Sequence, residues 1–377
     1  MKLSIVILGL SVTSSWGNGH ATTYRGLMRE LVRRGHRVTF LERDMPWYAD
    51  NRDLPKPPYG RTVIYASVQE LRRRWSSTIN AADVIILGSY VPDGAEIARW
   101  LLRRSRGLTA FYDVDTPVTM ARLEKGEADY MALDLVPQFD LYLSFAGGPT
   151  LARLERNFGA QLARALYCSA DTEIYKPLDR SLKWDLGYIG TYSADRQPAL
   201  EKLLIEPLRM VANAKGVVAG PQYPSDVVWP TNVRRIEHLA PNRHRDFYAA
   251  QRFTLNVTRR DMVHAGFSPS IRLFEAAATG TPIISDWWQG LDQFFAPGKE
   301  IIVAESSEDV LRAITSMSDE QRRAMADRAR ARVLEQHTAS HRAIELEKYI
   351  CEAAEHRRKR WLQLRRPIGP ATRPAVS

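Results

Sequence analysis

The chain is 377 residues long, 45% apolar and 25% charged, the balance of a folded globular protein and more than one ordinary core accommodates. Lys and Arg outnumber Asp and Glu by 53 to 43, a net charge of +10, and the only cysteines are Cys168 and Cys351, without ligand-like spacing. This excludes a disulfide framework and a cysteine-built zinc site; with no run of about 18 apolar residues to span a membrane, the expected location is the cytoplasm.

Residues 3–10 are a short apolar run before a loop of small residues, which reads as a buried first strand rather than a leader peptide. Apolar positions recur with helical spacing over 22–34. Strands are predicted at 36–41, 82–87, 108–112 and 141–145, with a helix over 68–79. The strand runs are continuous rather than alternating, as in a parallel sheet covered by helices on both faces. The pattern loosens over 167–183. A second set follows, with strands at 184–189, 216–219, 235–238, 253–257, 282–285 and 300–303 and helices at 197–211, 244–250, 271–279 and 307–316. A last helical pattern from about 319 to 361 breaks near His337 and Thr338. The predicted fold is α/β: two tandem doubly wound Rossmann-like domains, residues 1–166 and 167–345, with a cleft between them and a C-terminal helix and basic tail over 346–377.

The basic residues are dispersed along outward helix faces and form no coherent stripe, so no nucleic-acid partner is expected. The one cluster runs from His356 through Arg357, Arg358, Lys359 and Arg360 to Trp361, followed by Arg365 and Arg366. It reads either as a solvated tail or as a peripheral contact with an anionic surface.

The strongest local signal is the segment SPSIRLFEAAATGTP, residues 268–282. Ser270 suits a helix cap, and the first helical turn offers backbone N–H groups and a positive dipole end to a diphosphate. Arg272 in that turn adds a planar charged contact. Glu275 stands one turn further on, where a carboxylate accepts both hydroxyls of a ribose. Three alanines let the helix pack closely, and Gly280 ends it. The competing reading is a plain capped helix with a surface glutamate.

With Gly266 and Phe267 just upstream, this segment resembles the donor-site helix of GT-B glycosyltransferases (group 1). The Arg-Leu-Phe-Glu-Ala form and the run Asn256-Val257-Thr258-Arg259 are most similar to the CgeB-like group. The resemblance covers residues 165–345. It implies transfer of a sugar from a nucleoside-diphosphate sugar to an unidentified acceptor hydroxyl, of hexosyltransferase type, with the acceptor on the N-terminal side. It also implies that Glu275 binds the ribose and that Ser270, Ile271 and Arg272 lie by the diphosphate. Gly190, Thr191 and Tyr192 resemble the loop that opens the donor site, Arg196 stands where a basic residue meets phosphate, and Glu237 and His238 lie in the run that cups the nucleobase. One departure stands out. Retaining members carry a glutamate directly before Gly-Phe, and here that position is Ala265, with Asp261 and His264 as nearby substitutes.

In the N-terminal half, residues 11–20 make a turn of small and polar residues that does not fit a dinucleotide fingerprint. His20 reads either as a helix-start cap or as a general base or phosphate contact. Asp113 and Asp115 end a predicted strand. As general bases or acceptor contacts they point into the cleft, while Asp115 also suits a helix cap before Thr116 and Pro117. An Asp-x-Asp pattern fits Mg²⁺, but the resemblance implies donor binding without metal. No metal and no cofactor beyond the donor are expected. Trp287 and Trp288 read as a stacking surface or a hydrophobic lid. Two other readings stay open: a sugar-nucleotide epimerase of the same fold, and a non-catalytic nucleotide-sugar-binding protein.

Overall fold

A computed structural model describes residues 2–17, 19–127 and 129–364. The tail from Arg365 onward, including Arg366, lies outside the described residues. The first half builds a sheet from β1 (Ser4–Gly9), β2 (Arg37–Arg43), β3 (Arg61–Tyr65), β4 (Val84–Gly88), β5 (Leu108–Asp113), β6 (Leu141–Ser144) and β7 (Ala163–Ala165). The second half builds one from β8 (Trp184–Ile189), β9 (Gly216–Ala219), β10 (Val233–Ile236), β11 (Gln251–Asn256), β12 (Ile283–Ser285) and β13 (Ile302–Val303). Every pairing is parallel, in the orders β3-β2-β1-β4-β5-β6-β7 and β10-β9-β8-β11-β12-β13. Strand order therefore reverses between β1 and β4 and again between β8 and β11. Ligands of doubly wound sheets bind at such points, beyond the carboxyl ends of the strands.

The continuous apolar runs are explained by coverage on both faces. In β1, Val6 and Leu8 join one core cluster while Ile5 and Ile7 join the opposite one. In the second sheet, Val217 and Ala219 face one core and Leu186, Val218 and Leu255 the other.

The chain crosses between the bodies twice, and the two crossings pair with each other. Ala170 N–H donates to His337 O, and Ala339 N–H donates to Ala170 O, each at 3.1 Å. The final helix, Ala339–Leu364, then returns to the first body. Ala343, Leu346, Ile350 and Ala353, spaced along one helical face, complete the core beneath β1 and β4. A Cβ on Gly26 would stand 3.0 Å from Ala339 Cβ, which shows how closely the first helix, His20–Arg33, meets this return.

Three departures from the sequence reading have local causes. β3 follows a proline-rich loop and is an edge strand, and β7 has the sequence Ala-Arg-Ala, which only pairing with β6 makes a strand. The helix expected over 197–211 is interrupted: Gln197–Leu200 passes through a π turn, Glu201–Ile205, before Glu206–Met210. Pro207 lacks the N–H and the room that a regular helix needs there. The strand expected at 235–238 ends at Ile236, which leaves Glu237 and His238 in the loop beyond it.

Candidate active site at the two switch points

The helix Ile271–Thr279 follows the loop that leaves β11. Arg272 ties together the two strand ends at the β8/β11 reversal. Its Nε donates to Ile189 O at 2.6 Å, and one terminal nitrogen donates to Asn256 Oδ1 at 2.7 Å. The guanidinium also stands 5.1 Å over the Tyr188 ring. The expected cap is corrected: Ser270 holds the cap position, but its side chain accepts no helix N–H and turns to Arg272 at 3.3 Å. The helix thus begins without a side-chain cap. Leu273 N–H turns back to Ser270 O at 3.1 Å, and no side chain among the described residues caps the N–H groups of Ile271 and Arg272. Ala276, Ala277 and Ala278 are fully buried, and Gly280 closes the helix at φ 81°.

Arg196 lies beside this point and donates to Thr191 O at 2.5 Å, and its Nε has no hydrogen-bond partner among the described residues. Burial holds its guanidinium below the ordinary range, and the like charges of Arg272 and Arg259 act the same way. Gly190 N–H bonds Ala219 O at 2.8 Å. A Cβ on Gly220 would lie 2.0 Å from Gly190 O, so these two strand-end loops touch through backbone alone. Tyr192 N–H reaches Pro221 O at 3.0 Å, and its ring begins an aromatic row with Tyr223 and Trp229. Arg235 stacks on that row, 4.1 Å from Tyr223 and 4.7 Å from Trp229. Glu237 and His238 are exposed at the rim.

Glu275 is enclosed rather than open. It is 4% exposed, and its Oε2 accepts from Tyr248 Oη at 3.3 Å. Burial pushes its carboxyl up to about 7, against the hydrogen bond from Tyr175 and the charge of Arg272. His244 Nδ1 stands 3.9 Å away.

On the first body the two strand-end aspartates part company. Asp113 is fully buried and does not line the cleft, contrary to the expectation for it. Its carboxylate accepts from Tyr142 Oη at 2.6 Å and Thr119 Oγ1 at 2.7 Å, tying β5 to β6 and to the helix Thr116–Lys125. Burial raises its carboxyl to about 6. Asp115 does face the cleft. It occupies the cap position of that helix without capping it. Its Oδ2 instead accepts from Tyr90 Oη at 2.8 Å and from Arg259 of the second body at 3.2 Å. His20 is the first residue of its helix, with Gly19 at the cap, so it is not the cap either. Its ring stacks on Tyr90 at 5.9 Å and meets the edge of Phe145 at 6.5 Å. Desolvation lowers the imidazole below its ordinary range, opposed by Asp115 and reinforced by Arg259. His20, Asp115 and Phe145 face Arg259 and residues 268–271 across a cavity of about 170 Å³.

Arg259 belongs to this site and was not among the residues predicted for it. Tyr90, in the strand-end turn 89–94 that reads from the sequence as either cleft lining or a plain turn, belongs to it as well. The run from Asn256 to Arg259 at a strand end was the available signal for Arg259. Asp286 orients that run by accepting from Thr258 N at 3.0 Å and Thr258 Oγ1 at 2.8 Å. Tyr90 left a weaker trace, a polar turn after β4. It takes φ 63°, a costly conformation for a tyrosine and one typical of functional loops. Phe267, at φ 46°, joins the bodies: Gly147 N–H donates to its carbonyl at 2.9 Å, and its ring fills space left by Gly148 and Gly290. Ala265, Asp261 and His264 lie on the short helix Arg260–Ala265 beside it, the last two exposed. Trp288 is core and Trp287 is exposed, so the pair does not form one lid. Among the described residues no cluster of three or more His, Cys, Asp or Glu side chains could hold a metal ion, and no helix is long and apolar enough to cross a membrane.

The family described as Glycosyl transferase-like matches residues 196–348. No curated protein sequence matches the chain. Among solved structures, sucrose-phosphate synthase from Thermosynechococcus elongatus aligns with TM-score 0.63 at 12% identity, over 96% of this chain and 100% of that one. Anabaena HepE in complex with UDP and glucose aligns with TM-score 0.68 at 13% identity, over 93% and 100%. An alpha-glucosyltransferase in complex with UDP-glucose and DNA aligns with TM-score 0.70 at 12% identity, again over 93% and 100%. With two parallel sheets facing one another across their carboxyl edges, the chain has the GT-B fold of these glycosyltransferases.

Proposed function

We propose that the chain is a glycosyltransferase that moves a sugar from a nucleoside-diphosphate sugar to an acceptor hydroxyl without a metal ion. The observation that carries this reading is the convergence of Arg196, Arg259 and Arg272 on the β8/β11 switch point, beside the uncapped start of the helix Ile271–Thr279. Three guanidiniums and a helix N-terminus suit a diphosphate and the charge that develops on it as it leaves. The family match over 196–348 and the UDP and UDP-glucose named with the similar structures support a UDP-sugar as the donor to try first. The motif Arg272-Leu273-Phe274-Glu275-Ala276 supports a place in the CgeB-like group, and two free cysteines suit the cytoplasm.

In this reading Arg196, Arg272, Ser270 and Ile271 hold the diphosphate, Glu275 accepts the ribose hydroxyls, and the loops at 190–192 and 237–238 flank the nucleoside. The first body presents the acceptor. His20, with Asp115 beside it, takes the hydroxyl proton as the acceptor oxygen bonds to the anomeric carbon. The bond from that carbon to the diphosphate breaks, and its electron pair leaves with the phosphate oxygen. Closure of the two bodies keeps water from the donor.

Calorimetric titration with a panel of nucleoside diphosphates, then incubation with the matching sugar nucleotides, tests the reading. Donor hydrolysis or transfer that persists in chelator supports it. An isomerised sugar points to an epimerase, binding without turnover to a non-catalytic protein, and no binding at all sinks the proposal. Glu275→Ala is expected to weaken nucleotide binding about tenfold to a hundredfold, the range for hydrogen bonds to a charged group. Unchanged affinity refutes the ribose role.

A further inference from the structure

We propose that Arg259 changes partner when the donor binds, leaving Asp115 for the diphosphate and so restoring an unneutralised carboxylate beside His20. This rests on the donor site proposed above and adds a coupling between its two halves.

The three arginines at the switch point are not equivalent. Arg272 is spent on Ile189 O, Asn256 and the Tyr188 face, and Arg196 is tied to its own loop at Thr191 O. Among the described residues, neither forms an ion pair. Arg259 alone is held by a carboxylate, and that carboxylate belongs to the opposite body. Its side chain is 42% exposed, whereas Asp115 is 13% exposed. The arginine is the partner free to move.

Asp115 is prepared for the loss. The same oxygen that meets Arg259 also accepts from Tyr90, so the carboxylate stays in place when the guanidinium goes. A diphosphate offers more charge than one carboxylate and oxygen pairs that fit the guanidinium fork. Among the described residues, the groups that face His20 include Tyr90 from the loop after β4, Phe145 from the loop after β6, Asp115 and Arg259. Burial weakens the imidazole as a base in either state. Of the two charges beside it, Asp115 opposes that weakening and Arg259 adds to it, so withdrawal of Arg259 removes the charge that works against Asp115. The empty enzyme then keeps its base muted, and donor binding arms it.

A double-mutant cycle on UDP affinity, measured by calorimetry, decides the matter. Asp115→Asn is expected to tighten UDP binding severalfold, because Arg259 no longer has to be drawn away. Arg259→Ala is expected to weaken it about tenfold, and adding Asp115→Asn to Arg259→Ala to restore little. Asp115→Ser, which also suits a helix start, serves as a second way to remove the charge should the Asn variant not fold. Equal tightening in both backgrounds reduces the effect to relief of repulsion and overturns the exchange, as does no tightening in either. Absence of nucleotide affinity in the unsubstituted chain removes the donor site itself, whereas intact UDP binding with a flat cycle removes only the exchange.

Discussion

The two carboxyl edges that face each other across the cleft have the same architecture and opposite chemistry. Each is the point in a parallel sheet where strand order reverses, and each receives side chains from the turns after its central strands. The first edge collects an imidazole, a tyrosine hydroxyl and Asp115, with Glu42 buried behind them accepting from Val12 N and Thr13 N. The second collects Arg196, Arg259, Arg272 and a bare helix start. Topology supplies a ligand position on both sides. Only the charges placed there distinguish the two edges, an imidazole with a carboxylate on one and three guanidiniums on the other. The proposed roles of proton acceptor and anion site rest on that difference.

The most severe way to break that comparison is to remove the first edge's carboxylate. Asp115→Asn is expected to lower the transfer rate by about 10–10², because His20, the proposed proton acceptor, loses the carboxylate that strengthens it as a base, while nucleotide affinity does not fall. Asp113→Asn, two residues away, leaves the rate near that of the unsubstituted chain, because Asp113 faces Tyr142 and Thr119 inside the core. Steady-state assays of the two variants side by side are the check. Equal losses would place Asp113 in the chemistry and undo the distinction.

Much of the second edge was legible in the sequence because its signals are local. The helix over 271–279 was read to the residue, its alanines and Gly280 marking the packed face and the stop. The first edge was harder. Asp113 and Asp115 have the same strand parity, which in a sheet buried on both faces says nothing about which side chain meets solvent. The backbone bends between them, with Asp115 at φ −150° and ψ 51°, and that bend alone separates their fates. Ser270 had the composition of a cap, but a guanidinium two residues on competes for its hydroxyl. The Arg259–Asp115 contact spans 144 residues and two bodies. No window of sequence contains it.

Each edge also hides carboxyls whose protons are favoured by burial, and two of them, Asp113 and Glu275, sharpen the comparison through pH. Asp113 is raised from 3.8 to about 6 and Glu275 from 4.5 to about 7. The folded chain binds both protons more tightly than the unfolded one. Each contribution is therefore complete below the unfolded value and is lost as pH rises through the folded value. Between about pH 4 and 7 the unsubstituted protein should lose stability relative to Asp113→Asn and to Glu275→Gln, on the order of 2–3 kcal/mol for each group. Denaturant unfolding across that window measures it, and parallel pH profiles would refute the buried-proton assignment. Only Glu275→Gln should also weaken UDP binding.

The smallest effect concerns the helix that leaves the second body to complete the first. Glu347 on Ala339–Leu364 meets Arg34 at 2.6 Å and His36 Nε2 at 2.7 Å, and the Arg34 hydrogen bond draws its carboxyl down to about 2. Here the sign is opposite to that of the two buried carboxyls: the stabilisation is present above the unfolded value and fades as pH falls toward the folded one. The pair is partly exposed, so Glu347→Gln is expected to cost about 0.5–1 kcal/mol at neutral pH and progressively less below about pH 4. Denaturant midpoints at pH 7 and pH 3 test this. Because Ala343, Leu346, Ile350 and Ala353 anchor the same helix in the first core, the loss should appear in one common transition of both bodies. A separate, earlier transition of the second body alone would mean that the helix returns to the first body without binding the two together.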